Sequence, residues 1–199
     1  MKLRQRLWWA AGAWTVIVSV GVALATHHEL QQYRTQSLEA AGHRLDSLRD
    51  SLSVTFQQLS ALPRALGREP SLKQYLRHVQ VPDSATLTEA DRTRVKASLM
   101  ARAEVRQMSQ SLKETMRDFN LNQILLFDRY GTDIADSFYD TPLSAMGGNY
   151  KTRRYFTDAL DHGEGSQFAV GRVTRIPGFY FAGRIDDEGQ TLGLALVVD

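Results

Sequence analysis

An α+β fold is predicted, in which a membrane-crossing helix runs on into a long exported helix and a small antiparallel sheet follows. Three observations predict it. A 19-residue run near the N-terminus carries no charge, two later stretches repeat their apolar residues every three or four positions, and after Asn120 the chain changes to short strand-like runs broken by turn residues.

The uncharged run, Leu7 to Ala25, is long enough as a helix to cross a hydrocarbon core of roughly 30 Å. Lys2, Arg4 and Arg6 precede it with no acid among them, which places residues 1–6 in the cytoplasm, a span over 7–26 and the rest of the chain outside. A cleaved secretory signal ending at Ala23-Leu24-Ala25 is the competing reading, and it exports the same residues. From Leu30 through Leu38, Leu45, Leu52 and Leu59 runs one helical stripe; it suits a parallel dimer helix and suits packing on the domain's own sheet equally well. Pro63 and Pro70 are expected to interrupt it, with a short helix over Ser71–Val79 beyond. Thr88 with Asp91 three residues later forms a capping pattern, and Val95, Leu99, Ala103, Leu112 and Phe119 predict one long helix over Glu89–Asp118. The helical part thus covers 27–119.

Residues 120–199 form the sheet module. QILLFD and TDIADSF are two strands joined by a tight turn at Gly131; 141–150 is loop; Thr152–Leu160 is a short helix stopped by Gly163. Three more strands are expected at Gln167–Val173, Phe179–Ile185 and Thr191–Val198, with turns at Pro177-Gly178 and Asp186–Gly189 and helices on one side of the sheet.

Of 199 residues, none is cysteine, which removes disulfide scaffolds and thiolate chemistry. Lysine and arginine number 24 against 22 acids, but three of the cations precede the span; the exported part has 21 against 22, without the positive surplus that a nucleic-acid partner needs. No phosphate loop, nucleophile elbow or HExxH occurs, the five histidines show no ligand spacing, and His28-Glu29-Leu30 lacks the proline of a phosphoacceptor motif. No cofactor and no metal is expected in this chain.

The informative stretch is Gly148-Asn149-Tyr150-Lys151-Thr152-Arg153-Arg154-Tyr155-Phe156, followed by Phe168–Gly171 and Pro177–Ala182. Guanidinium forks and phenol hydroxyls gathered at a loop-to-helix junction beside a sheet are what a carboxylate pocket requires.

These residues resemble the extracytoplasmic PAS-like (double Cache) sensor region of bacterial C4-dicarboxylate-type sensor histidine kinases. The matching positions are Gly148, Asn149, Tyr150, Arg153, Tyr155, Phe156, Ala159, Gly171, Pro177, Gly178, Tyr180, Leu192 and Gly193. The resemblance implies a homodimeric inner-membrane receptor with two PAS-like modules in the periplasm, this chain ending before the second. It implies a small carboxylate ligand at Tyr150 and Arg153, with Thr174 and Tyr180 as further contacts. A cytoplasmic kinase using ATP and magnesium and passing phosphate to a response regulator would lie beyond Asp199. The same sensor on a diguanylate cyclase or chemoreceptor, and an anchored periplasmic interaction protein, are the alternatives. Two departures bear on specificity: Arg154 replaces the family's proline, and Val198 with Asp199 stands where a lysine usually follows the last strand. Arg172 is the candidate replacement cation.

Overall fold

The computed structural model describes Asp50 and residues 53–81 and 88–199. The predicted cytoplasmic tail, the span over 7–26 and most of the stripe from Leu30 lie outside the described residues. Among the described helices none is long and apolar enough to cross a membrane. The chain divides between Val54 and Thr55 into two units, and the fold set out below is that of the second.

A helix described over 53–66 (α1) leads in. Pro63 does not interrupt it, contrary to expectation. A proline inside a helix loses one backbone hydrogen bond, yet this one lies buried a turn from the helix end, where α1 crosses the sheet at Gly183. A side-chain carbon at Gly183 would come within 3.0 Å of Pro63 and of the Arg64 nitrogen, so glycine is what allows the crossing. Pro70 opens the next helix, α2 (Pro70–His78), at the first-turn position where its missing N–H costs nothing, and Leu72, Tyr75 and Leu76 face inward.

The single helix predicted over Glu89–Asp118 is two: α3 (Glu89–Ala101) and α4 (Ala103–Asp118), parted at Arg102, whose ψ of 130° is extended. The reason is geometric. Leu99 and Val105 are six residues apart and, at about 100° per residue, would point about 120° apart on one continuous helix; the break lets both be buried. The Thr88 capping box forms as read, with the Asp91 N–H donating to Thr88 Oγ1 and the Thr88 N–H donating to Asp91 Oδ2.

The sheet is antiparallel and five-stranded, in the order β2-β1-β5-β4-β3. Its strands are β1 (Gln123–Asp128), β2 (Asp133–Asp136), β3 (Glu164–Val170), β4 (Pro177–Asp187) and β5 (Gln190–Val198); helix α5 (Arg154–His162) precedes β3. Gly131, at φ +89°, makes the β1–β2 turn, and Glu188 (φ +49°) and Gly189 (φ +79°) make the β4–β5 turn, where a two-residue hairpin loop needs positive φ at both places. Pro177-Gly178 is not a turn. It begins β4, paired with Val170 and Ala169, because proline is tolerated at the first residue of a strand; the chain reverses over 171–176 instead.

Helices cover both faces of the sheet, not one. Period-two alternation sends Ile124, Leu126, Ile185, Ala195 and Val197 toward α1–α4, and sends Leu125, Phe127, Ala182, Leu194, Leu196 and Val198 toward α5 and the loop before it. Phe127 and Phe156 are almost wholly buried on that second face, each stabilising the fold by about 1.5–3 kcal/mol. The loop between β2 and α5 is therefore pressed onto a packed sheet, and this is what positions the site.

Candidate functional site

The loop reaches its place through the β1–β2 hairpin. Asp128 accepts from the Thr132 and Tyr130 N–H groups at 2.9 and 3.0 Å and from Val81 N–H at 2.8 Å, which fixes the turn. The outer edge of β2 is then taken up by the loop: Gly147 N–H donates to Asp133 O at 2.8 Å, Asp133 N–H to Gly148 O at 2.9 Å, and Tyr150 N–H to Gly131 O at 2.7 Å. Asn149 Nδ2 donates to Tyr130 O at 2.8 Å. At Gly131 the loop passes so close that a side-chain carbon would meet Lys151 backbone at 2.8 Å. Tyr150 follows, buried, its ring 5.4 Å from that of Phe127. Arg153 is the N-cap of α5, with no side chain capping that first turn.

Beside this junction lies a cleft of about 530 Å³. One wall is Gly147–Arg153 and the other the 171–176 reversal, with Thr88 and Arg92 at the start of α3 completing it. Three of the residues singled out from sequence, Tyr150, Arg153 and Arg172, line it together. Arg172 donates to Asn149 O and lies over the Tyr150 ring, 5.3 Å from its centroid. Arg153 Nη2 donates to Val170 O at 3.3 Å. The acids that could have claimed Arg153 are engaged elsewhere: Asp158 pairs with Arg154 at 3.3 Å, and Asp136 accepts from Gln123, Phe138 and Ala145.

Thr174 and Tyr180 stand one layer behind. Tyr180 is buried with its ring stacked on Tyr155 at 5.3 Å, and both its hydroxyl and Thr174 Oγ1 crowd the place where a side chain on Gly171 would go. Neither lines the cleft. Sequence reasoning passed over Arg92, Lys151 and Arg175, which do. Lys151 sat inside the quoted stretch and could have been found by counting cations there; Arg92 is distant in sequence and gave no signal.

Among the described residues no carboxylate lines this cleft, while five cations do. One acid stands close behind it. Asp133 is wholly buried, and neither carboxyl oxygen has a hydrogen-bond partner among the described residues. Burial, then the neighbouring Asp136, push its carboxyl well above the usual carboxylate range, against the pull of Arg92 and Lys96. Burial, with Asp133 nearby, likewise raises the Tyr150 phenol, so it stays a hydroxyl able to donate. The site can therefore offer a neutral phenol donor and fixed guanidinium forks to an anion.

A larger groove, of about 620 Å³, lies between α1, α5 and β3. Its charged groups neutralise one another or nearby partners: Arg154 holds Asp158, and Glu164 holds Arg64 at 2.9 Å. It is the poorer anion site.

No protein-family model matches the chain. In sequence it is similar to the C4-dicarboxylate transport sensor protein DctB of Rhizobium meliloti, 29% identical over 200 residues that cover 98% of this chain and 28% of that protein. In fold it is similar to the sensor domain of the histidine kinase DctB of V. cholerae, with a TM-score of 0.67 at 20% identity, covering 84% of this chain and 57% of that one. A domain of a sensory box/GGDEF family protein from Vibrio parahaemolyticus has a TM-score of 0.50 at 18% identity, over 80% of this chain and 58% of that one. The chain thus spans little more than a quarter of the curated relative it matches. The likeness first carried by the Gly148–Phe156 stretch holds along the chain: this protein resembles the PAS-like sensor region of C4-dicarboxylate-type sensor kinases.

Proposed function

We propose that these residues are the periplasmic sensor portion of a membrane-bound sensor histidine kinase, and that the cleft beside Tyr150 captures a small carboxylate. The observation that carries this reading is the cleft's one-sided charge: Arg153 and Arg172 are oriented by main-chain carbonyls rather than by acids, so each is held in place with its charge uncancelled. A carboxylate between them and the Tyr150 hydroxyl would complete the arrangement by charge-assisted hydrogen bonds. Burial in the cleft and the loss of repulsion among the cations favour the occupied state. The ligand signals only to the extent that it binds one conformation of the receptor better than another. Anchoring by residues 7–26 in the inner membrane, dimerisation, and a cytoplasmic kinase that uses ATP and magnesium to phosphorylate a response regulator belong to the same reading.

A second output is favoured by one observation: the fold recurs in a sensory box/GGDEF family protein, so a cyclase or a chemoreceptor module is the alternative to a kinase. The sequence that follows Asp199 in the gene decides between them. The binding claim is tested by a thermal-shift screen of the whole chain in non-ionic detergent against mono- and dicarboxylates and amino acids. Stabilisation by a carboxylate supports a sensor; stabilisation by none of them points to an anchored interaction protein.

A further inference from the structure

The cleft carries more positive charge than a two-carboxylate ligand would use. Lys151, Arg153, Arg172 and Arg175 line it, and among the described residues none of the four forms an ion pair. They come from two separate walls. Lys151 and Arg153 sit on the hydrogen-bonded loop and at the start of α5, whereas Arg172 and Arg175 sit on the reversal between β3 and β4. Arg175 holds a positive φ of 59°, a conformation that a residue with a side chain rarely adopts. Like charges facing one another across a cleft repel, and among the described residues no carboxylate lines it to relieve them.

We propose that the physiological ligand is a compact organic trianion, a tricarboxylate or a phosphorylated carboxylate, that bridges the two walls. This rests on the reading of the cleft as a carboxylate site and narrows it. One anionic group would lie between Arg153 and the Tyr150 hydroxyl. A second would meet Arg172, and the third would meet Lys151 and Arg175 at the mouth. Asp133, close behind the cleft, is wholly buried, and that burial pushes its carboxyl well above the usual carboxylate range, which weakens its hold on this field. Arg172 stands on the wall opposite Arg153, so anionic groups can be met from both sides of the cleft. A cleft of about 530 Å³ falls within the size range of small-molecule sites and has room for a ligand of about a dozen heavy atoms with water.

The test is calorimetric titration of the complete chain in non-ionic detergent, at low and high salt, with succinate, tricarballylate and 3-phosphoglycerate. The proposal expects one or both trianions to bind at least about tenfold more tightly than succinate at low salt. That advantage should shrink as salt is added, because exposed charges are screened. Tricarballylate against 3-phosphoglycerate distinguishes the two sources of the third charge. Arg175→Gln, which removes a cation assigned to the third charge alone, should reduce trianion affinity by a larger factor than succinate affinity, with an unchanged circular dichroism spectrum. Succinate binding as tightly as the better of the two trianions overturns the proposal and leaves the carboxylate reading standing. Failure of all three to bind overturns both.

Discussion

The Arg172 guanidinium lies over the face of the Tyr150 ring, and the same arginine donates to the carbonyl of Asn149. This pair ties the β3–β4 reversal to the loop that follows β2, so the two walls of the cleft touch before any ligand arrives. The cation–ring contact is worth about 0.5–1 kcal/mol at such an exposed place. It orients the arginine more than it stabilises the fold.

Tyr150→Phe separates the ring from the hydroxyl. The ring keeps its contacts with Phe127 and Arg172, so the thermal midpoint should stay near that of the parent. Carboxylate affinity should fall about tenfold, as expected for one lost hydrogen bond to a charged group. Calorimetry on the two proteins measures it, and equal affinities would show that the hydroxyl does not touch the ligand.

Arg153→Ala should remove detectable carboxylate binding while leaving the circular dichroism spectrum unchanged. Among the described residues the side chain's hydrogen bond is to Val170 O, so the fold loses little, whereas a charge-assisted contact to the ligand is worth about 1.5–3 kcal/mol. Unaltered affinity in this variant removes the proposed site.

Gly183→Ala places a methyl group where α1 crosses β4, 3.0 Å from Pro63 and the Arg64 nitrogen. Backbone cannot give way as a side-chain tip can, so the variant should lose about 1–3 kcal/mol of stability in urea unfolding. Hydrogen exchange should quicken first in α1. A parent-like urea midpoint would mean that the helix crosses with room to spare.

Burial of Asp133 sets a pH dependence with a definite sign. A carboxyl raised in the folded state binds its proton more tightly there than in the unfolded chain. Its contribution to stability is therefore complete below the ordinary carboxylate value and is lost as the pH rises from there toward the folded value. Asp128 and Asp136, also raised by burial, act in the same direction. Asp133→Asn should raise the melting temperature at neutral pH by a few degrees and flatten its fall as the pH rises above the ordinary carboxylate range. A midpoint in the variant that drops as steeply as the parent's would assign the effect to other groups.

What could be read from the sequence was what depends on neighbours in the chain. The Thr88–Asp91 cap, the Gly131 turn, the Gly163 stop and the two hairpin strands of the first pair all rest on contacts a few residues long. Misreadings arose where distant packing overrode local preference. Pro63 stays in its helix because Gly183 receives it, and Arg102 breaks a helix so that Leu99 and Val105 can both be buried. Pro177 begins a strand because Val170 stands opposite. The site followed the same division. Tyr150 and Arg153 belong to one local stretch and were legible, but nothing local reveals that Arg92 joins them, or that Tyr180 turns its ring against Tyr155 rather than toward the opening.

Gly171 sits at the foot of the β3–β4 reversal with Thr174 Oγ1 and the Tyr180 hydroxyl filling the place of a side chain. Any residue larger than glycine there must push the Thr174 and Tyr180 hydroxyls aside, and so disturbs the packing beneath the wall that carries Arg172 and Arg175. Efforts to reprogram what the receptor recognises should therefore leave this position alone and draw their diversity from 175, an exposed residue of the same wall.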